Sequence, residues 1–350
     1  MNVDRHRAVG KLRLGAFGVV LLLAASAVGG CGSSTSSAPA ASGGKLTTMS
    51  MVLTFPEGWE SPIWYGLEKG IFKQNGLNLQ ISAPSGAEAG SDITFISKGQ
   101  FDAGYVGTYD IPVYHQKYGD SVVTVFGWAQ QNPICWIVKD SLGIKKPQQL
   151  AGKVIAAPQS SATSLIYSYF AHYGVAKSAV DLESVAPSSM DSLFLSNKVS
   201  AIASYEFEEP PAYAAQGVPV RSLCFSQAGQ QYEASGIAVN KSYLASHKQA
   251  VSDLVAGLVA SFNAAKAHPL AAAKVMTAKF GNEVDSAQVD EQMTLDLMKL
   301  MHTPNNNGHP YGWMAPKDMK QTVSYDEANY GLSPGYSASS YYTDAYFPKS

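Results

Sequence analysis

Arginine, charge and cysteine are all scarce in this chain. Only 15% of its 350 residues are charged, and beyond residue 13 the sole arginine is Arg221. No basic block or stripe occurs, which argues against a nucleic-acid partner. A planar guanidinium is the usual bidentate hydrogen-bond partner of carboxylate and phosphate groups. With one arginine to draw on, we do not expect an arginine clamp for an anionic ligand.

The three cysteines are Cys31, Cys135 and Cys224. They form no Cys-x-x-Cys pair and no His-Glu-x-x-His segment is present, so we expect neither a metal site nor a cofactor. A Gly-x-Ser-x-Gly elbow and a phosphate-binding loop are also missing, and we do not expect an enzyme. Cys135 and Cys224 are candidates for a disulfide, but buried free thiols fit the sequence as well.

The longest uncharged apolar run is too short for a transmembrane helix. It covers residues 14–28, and a spanning helix needs roughly 20 residues. Four basic residues precede it, which is the pattern of a cleavable export signal over residues 1–30. The run ends in Val28-Gly29-Gly30-Cys31, which resembles a bacterial lipobox. Cys31 is therefore the predicted lipidated N-terminus, with an ordinary signal-peptidase site as the alternative.

Residues 31–45 consist almost entirely of small and polar residues. Such a segment cannot bury a core and behaves as a flexible tether. A lipid at Cys31 would thus anchor the protein outside the cytoplasm, at the cell surface or on the periplasmic side of the membrane. Removal of residues 1–30, which hold four basic residues and one acidic residue, leaves a net charge of −5.

The body alternates short apolar strands with amphipathic helices, the rhythm of an α/β fold. Predicted strands include residues 46–55, 77–82, 101–106, 121–128 and 134–139, then 154–157, 181–185, 199–204, 218–225 and 236–240. From residue 242 onward the pattern is helical. Two α/β series followed by a helical return predict two lobes, with a ligand site between them.

Three segments resemble the sulfonate-, nitrate- and thiamine-precursor-binding group of periplasmic-type binding proteins. They are residues 65–79, from Tyr65-Gly66-Leu67-Glu68-Lys69-Gly70, then 98–104 and 150–156. The resemblance implies a type II periplasmic binding protein fold, with lobe one at 46–132 plus 238–350 and lobe two at 133–237. It implies crossovers near Gln130–Pro133 and near Ser235–Asn240. It also implies a monomer that captures a small-molecule solute for an ABC permease.

Candidate ligand residues lie in loops that follow strands. Trp59 precedes the first helix. It is a candidate to line the cleft, and ordinary surface packing is the alternative role. Thr108 and Tyr109 open one helix, while Ser160, Ser161 and Thr163 crowd the start of another. A helix N-terminus can hold an anion or a carbonyl group, although a hydroxyl there is also a common helix cap. Tyr205, Glu206 and Glu208 form an aromatic and acidic stretch, which could equally be an acidic helix start.

The identity of the solute is a choice between two chemistries. Aromatic faces beside a carboxylate suit a neutral or cationic nitrogen heterocycle, so we predict a thiamine-precursor-like pyrimidine or a related heteroaromatic. An alkylsulfonate, taurine or nitrate held by the hydroxyl-rich helix start is the alternative. Two other classes stay open, namely an exported enzyme similar to thiamine-pyrimidine synthase and a lipoprotein adhesin or scaffold. That synthase carries a run of four cysteines, which this chain lacks.

Overall fold

The computed structural model describes residues 45–53, 56–82, 92–159 and 163–349. The predicted signal peptide, Cys31 and residues 32–44 lie outside the described residues. The described chain is an α/β protein with two separate five-stranded sheets, and the predicted fold class is confirmed. Among the helices described, none combines the length and the apolar character that crossing a membrane requires.

The first sheet contains both early and late strands of the chain. Its strands are β1 Thr47–Val52, β2 Leu77–Ser82, β3 Ala103–Gly107, β4 Val122–Gly127 and β10 Ser235–Asn240, in the order β2-β1-β3-β10-β4. Strands β1, β2 and β3 are parallel, whereas β10 is antiparallel to β3 and β4. Every residue of β10 is buried, as is every residue of β4 at the edge of the sheet.

The second sheet is made from the middle of the chain. Its strands are β5 Ile134–Lys139, β6 Val154–Pro158, β7 Asp181–Val185, β8 Ala201–Tyr205 and β9 Val220–Cys224, in the order β7-β6-β8-β5-β9. Cys135 on β5 lies directly opposite Cys224 on β9, and the two are joined by a disulfide. The bridge closes a loop with a sequence separation of 89, for which the chain-entropy model gives about 4–5 kcal/mol of stabilisation.

Two connections join the sheets, residues 128–133 and residues 225–234. They lie side by side: the Ala234 N–H donates to the Ala129 carbonyl at 2.7 Å, and the Asn132 amide donates to the Gln230 carbonyl at 2.8 Å. Residues 235–237, assigned to lobe two from the sequence, pair in the first sheet as part of β10. The remaining lobe limits stay a prediction.

Twelve α-helices occur in the described residues. Those before the last strand are α1 Ser61–Glu68, α2 Ile71–Gln74, α3 Asp92–Ser97, α4 Asp110–Tyr118, α5 Thr163–His172, α6 Pro187–Leu195 and α7 Glu209–Ala215. The helical return comprises α8 Lys241–Ser246, α9 Lys248–Ala267, α10 Pro269–Phe280, α11 Ala287–Leu300 and α12 Pro316–Asn329. Helix α9 packs on α1, and α11 packs on both α1 and α7. The return therefore touches elements next to both sheets.

Candidate functional site

Aromatic rings from both sheets meet where strands end. Trp59 lies in the turn before α1, and its ring centroid is 5.3 Å from that of Tyr105 on β3. Phe207, just beyond β8, lies 6.0 Å from Trp59 and 5.4 Å from Tyr205. Trp59 and Phe207 are buried, but Tyr205 keeps 37% of its surface exposed. We call Trp59, Tyr105, Tyr205 and Phe207 the aromatic cleft.

Tyr109 belongs to a second group of rings, with Tyr232 and Tyr330. Its ring lies 5.2 Å from Tyr232 and 5.4 Å from Tyr330, in edge-on and tilted arrangements typical of aromatic pairs. The pKa of the Tyr109 phenol is raised by burial first, and by the nearby Asp110, Tyr205, Tyr330 and Tyr105. Tyr109 is therefore within electrostatic range of the aromatic cleft and adds a wall to it.

Carboxylates border the aromatic rings. Burial raises the pKa of Glu208 well above its usual value, and the neighbouring Glu209 and Glu57 raise it further. Burial also raises the pKa of Glu209 to about 7, and that of Asp110 to about 6. Within the described residues, no lysine or arginine is among the groups that shift these three pKa values. Glu208 and Glu209 are therefore harder to ionise than free carboxylates, although Glu209 accepts hydrogen bonds from the Ser204 side chain and from the backbone that lower its pKa.

Glu208 acts electrostatically on two rings of the aromatic cleft, whereas Glu206 is not among the groups that shift their pKa values. Glu208 is among the groups that raise the pKa of both Tyr105 and Tyr205, after burial. The Glu206 carboxylate instead lies 3.5 Å from the sulfur of Cys224. Burial raises the pKa of Glu206, Asp296 on α11 raises it further, and Lys299 lowers it. The two glutamates predicted together thus point to different surroundings.

Thr108 forms hydrogen bonds within the protein. Its hydroxyl donates to the Glu233 carbonyl at 3.2 Å, and its N–H donates to the Ala234 carbonyl at 3.1 Å. Helix α4 accordingly begins at Asp110 rather than at residue 108, because Thr108 is tied to the second connection. Thr108 is fully buried, and we leave it out of the site that we propose.

The hydroxyl-rich segment is only partly described. Ser160 and Ser161 lie outside the described residues, so their predicted ligand role stays a prediction. Thr163 is the first residue of α5 and is exposed. Two residues further, Leu165 packs with Phe207 and Trp59 in one apolar cluster. Helix α5 therefore contributes to the same apolar cluster as two rings of the aromatic cleft.

Sequence reasoning missed Tyr105, Glu209 and Tyr232. Tyr105 lies in a predicted strand among small and apolar residues, where an aromatic residue is normally interpreted as part of the hydrophobic core. Glu209 opens α7, a position that favours an acidic residue without any ligand. A useful signal would have been the count of aromatic and acidic residues near each connection, because ligand sites lie between domains.

Among the described residues, one group of three His, Cys, Asp or Glu side chains lies close enough together to hold a metal ion. It consists of Cys135, Cys224 and Glu206, whose ligand atoms lie within 4.8 Å of one another. The two sulfurs are bonded to each other, and a metal needs cysteine as a thiolate. We therefore treat these cysteines as a structural bridge.

Solved structures share this fold at low sequence identity. The periplasmic aliphatic sulphonate binding protein SsuA from Escherichia coli is 15% identical, with a TM-score of 0.64 over 81% of this chain and 92% of that one. The periplasmic nitrate-binding protein NrtA from Synechocystis is 11% identical, with a TM-score of 0.59 over 86% and 87%. The desulfurization enzyme DSZB is 12% identical, with a TM-score of 0.60 over 85% and 97%. One architecture thus serves binding proteins and an enzyme.

Sequence comparison identifies the family. No curated protein sequence matches the chain. A family model does match, over residues 60–272, which is more than half of the chain. This region runs from the turn before α1 through the second sheet into α10. It confirms the resemblance expected from residues 65–79, 98–104 and 150–156, and the chain belongs to the NMT1/THI5-like family.

Proposed function

We propose that this protein is an extracytoplasmic solute-binding lipoprotein of an ABC importer. It captures a small heteroaromatic solute that carries an amino group or a positive charge, such as a thiamine-precursor-like pyrimidine. The fold is shared with sulfonate- and nitrate-binding proteins, which supports a role in binding. Family membership and the site between the two sheets support the same role.

The choice of solute rests on one observation. Glu208 and Glu209 lie beside aromatic rings, and their pKa values are raised by burial and by other acids. An amino group or ring N–H can donate to such a carboxylate, and a flat cation gains from the faces of Trp59 and Tyr105. A sulfonate would instead add negative charge to acidic surroundings. We therefore rank anions second.

Two unpaired groups support the same proposal. The indole N–H of Trp59 is buried and has no acceptor among the described residues. One oxygen of Glu209 is buried and has no donor there either. A ligand with both an acceptor and a donor on its edge would satisfy these two groups, and leaving them unsatisfied is costly. Aminopyrimidines carry both kinds of atom.

Lipid anchoring, a monomeric state and delivery to a permease complete the proposal. The export signal and the lipobox-like segment before Cys31 support anchoring.

Calorimetric titration with two ligand series tests the proposal. We expect aminopyrimidines to bind at micromolar strength and alkylsulfonates, taurine and nitrate not to bind. Binding of sulfonates alone would overturn the choice of solute. Recovery of chemically altered pyrimidine after incubation would favour an enzyme, the alternative kept open by the shared fold of DSZB.

A pair of variants locates the site. Glu208→Gln should weaken aminopyrimidine binding by about 1.5–3 kcal/mol, roughly 10- to 150-fold, the range for a hydrogen bond to a charged group. Glu206→Gln is the matched control, since Glu206 faces Cys224 instead. Equal loss in both variants, or none in either, would move the site away from the aromatic cleft.

A further inference from the structure

A second polar site lies behind the two connections. A cavity of about 180 Å³ is bounded by both connections and by the C-terminal part of the chain. Nearly all of its lining side chains carry oxygen. The lining residues are Gln130, Gln131, Gln231, Tyr232, Glu233, Thr303, Pro304, Asn305, Asp318 and Gln321. This cavity is separate from the aromatic cleft that we propose as the solute site.

Glu233 is the residue that makes the cavity unusual. Its side chain is 1% exposed, and neither carboxylate oxygen has a hydrogen-bond partner among the described residues. Its own N–H donates to the Thr322 hydroxyl at 2.9 Å, which fixes the backbone. A buried, unpaired carboxylate costs several kcal/mol unless it is neutralised or paired.

Gly127 provides the room for this carboxylate. A Cβ atom at that position would lie 2.7 Å from Glu233 Oε1 and 3.0 Å from the amide carbon of Gln130. The Glu233 carboxylate and the Gln130 amide therefore lie against the same bare stretch of backbone. A larger residue at 127 would displace both, so the space is built into the strand end of β4.

Asp318 supplies a second carboxylate to the lining of the cavity. It accepts a hydrogen bond from the Thr303 hydroxyl at 2.6 Å and another from the Asn305 amide. Burial raises the pKa of Glu233 well above its usual value, and Asp344 and Asp318 raise it further. No basic group of the described residues contributes to that shift. Among the described residues, neither Glu233 nor Asp318 takes part in an ion pair, so the cavity offers carboxylates to a cation.

We propose that this cavity binds a hard metal cation of the calcium type. Carboxylate, amide and hydroxyl oxygens are the ligands that Ca²⁺ takes, in sets of six to eight that can include water. Glu233 and Asp318 provide the charge. The lining residues Gln131, Asn305 and Gln321 provide neutral amide oxygens, since their amide nitrogens donate to other groups. Because both connections line the cavity, the cation would bridge the segments that join the two sheets.

Calorimetric titration with CaCl₂ after EDTA dialysis tests this proposal on the purified protein. We expect one Ca²⁺ per chain in wild type, and at least tenfold weaker binding in Glu233→Gln. Asp318→Asn should also weaken Ca²⁺ binding, and it is the second variant if Glu233→Gln fails to fold. Choline chloride at equal ionic strength controls for salt effects.

Asp326→Asn is the matched control, since Asp326 is also fully buried with both carboxylate oxygens unpaired, and it does not line the cavity. Its Ca²⁺ affinity should equal that of wild type. No Ca²⁺ binding by wild type would overturn the proposal. So would binding that Glu233→Gln and Asp318→Asn leave unchanged, because Ca²⁺ would then occupy another site. Solute binding does not enter this test, so its result is independent of the proposed function.

Discussion

Asp326→Asn should stabilise the protein in a pH-dependent way. Asp326 lies on α12 with 0% of its surface exposed, and neither carboxylate oxygen has a hydrogen-bond partner among the described residues. Burial and, to a smaller extent, the nearby Asp110 together raise the pKa of its carboxyl from 3.8 to about 9. Asparagine keeps the shape of the side chain but removes the charge.

The sign follows from proton uptake on folding. Between the unfolded and folded pKa values, the folded state holds a proton that the unfolded state has lost, so stability from this group falls as pH rises. It is fully present below pH 3.8 and lost by about pH 9. Each pH unit in this window changes the free energy of unfolding by about 1.4 kcal/mol. The cost at pH 8 is therefore roughly 6 kcal/mol at most, and relaxation around the charge reduces it.

Urea denaturation of wild type and Asp326→Asn at pH 5 and pH 8 measures the effect. The gain in the free energy of unfolding from Asp326→Asn should be larger at pH 8 by up to about 4 kcal/mol. Asp181→Asn, at an exposed position, is the control and should show no such pH dependence. A gain from Asp326→Asn that is equal at both pH values would refute the reasoning, since the carboxyl would then ionise normally.

Three further predictions concern the whole protein. Cys31→Ala should release the body from the membrane fraction, and continued retention without a lipid mass on the N-terminal peptide would contradict anchoring. Small-angle scattering should show a smaller radius of gyration with aminopyrimidine bound, because a ligand that touches both lobes favours the closed form; no change at saturation would indicate a rigid pocket. Alkylation under denaturing, non-reducing conditions should leave Cys135 and Cys224 unlabelled, and two labelled thiols would rule out the bridge.

Sequence patterns predicted three strands to the residue. Strands β2, β5 and β7 begin and end at the predicted residues, since short apolar or alternating runs flanked by turn residues have few other interpretations. Predictions failed at ends that are set by distant contacts. Helix α4 begins at Asp110 because Thr108 bonds to residues 233 and 234, a pairing that local sequence cannot reveal.

The sequence indicated which segment of the chain contributes to the candidate site, but not which of its side chains do. The stretch from Tyr205 to Glu208 follows β8, and strand ends of an α/β protein are where ligands bind. The direction of each side chain was not predictable. Glu206 lies beside Cys224 on β9, whereas Glu208, two residues further, is among the groups that raise the pKa of Tyr205. That split depends on the turn geometry after the strand, which the residue types alone do not determine.

The position of Arg221 also helps to decide between an anionic solute and one that carries amino groups. Its Nε and Nη2 both donate to Asp140 Oδ1, at 2.9 and 2.8 Å. Arg221 pairs with Val138 across the sheet, three residues before Cys224 and the connection that leads to the first sheet. The one arginine of the body is therefore committed to an exposed ion pair toward the far end of β9. An anionic solute in the aromatic cleft would have to rely on backbone N–H groups and hydroxyls against several carboxylates, whereas a solute with amino groups would use those carboxylates directly.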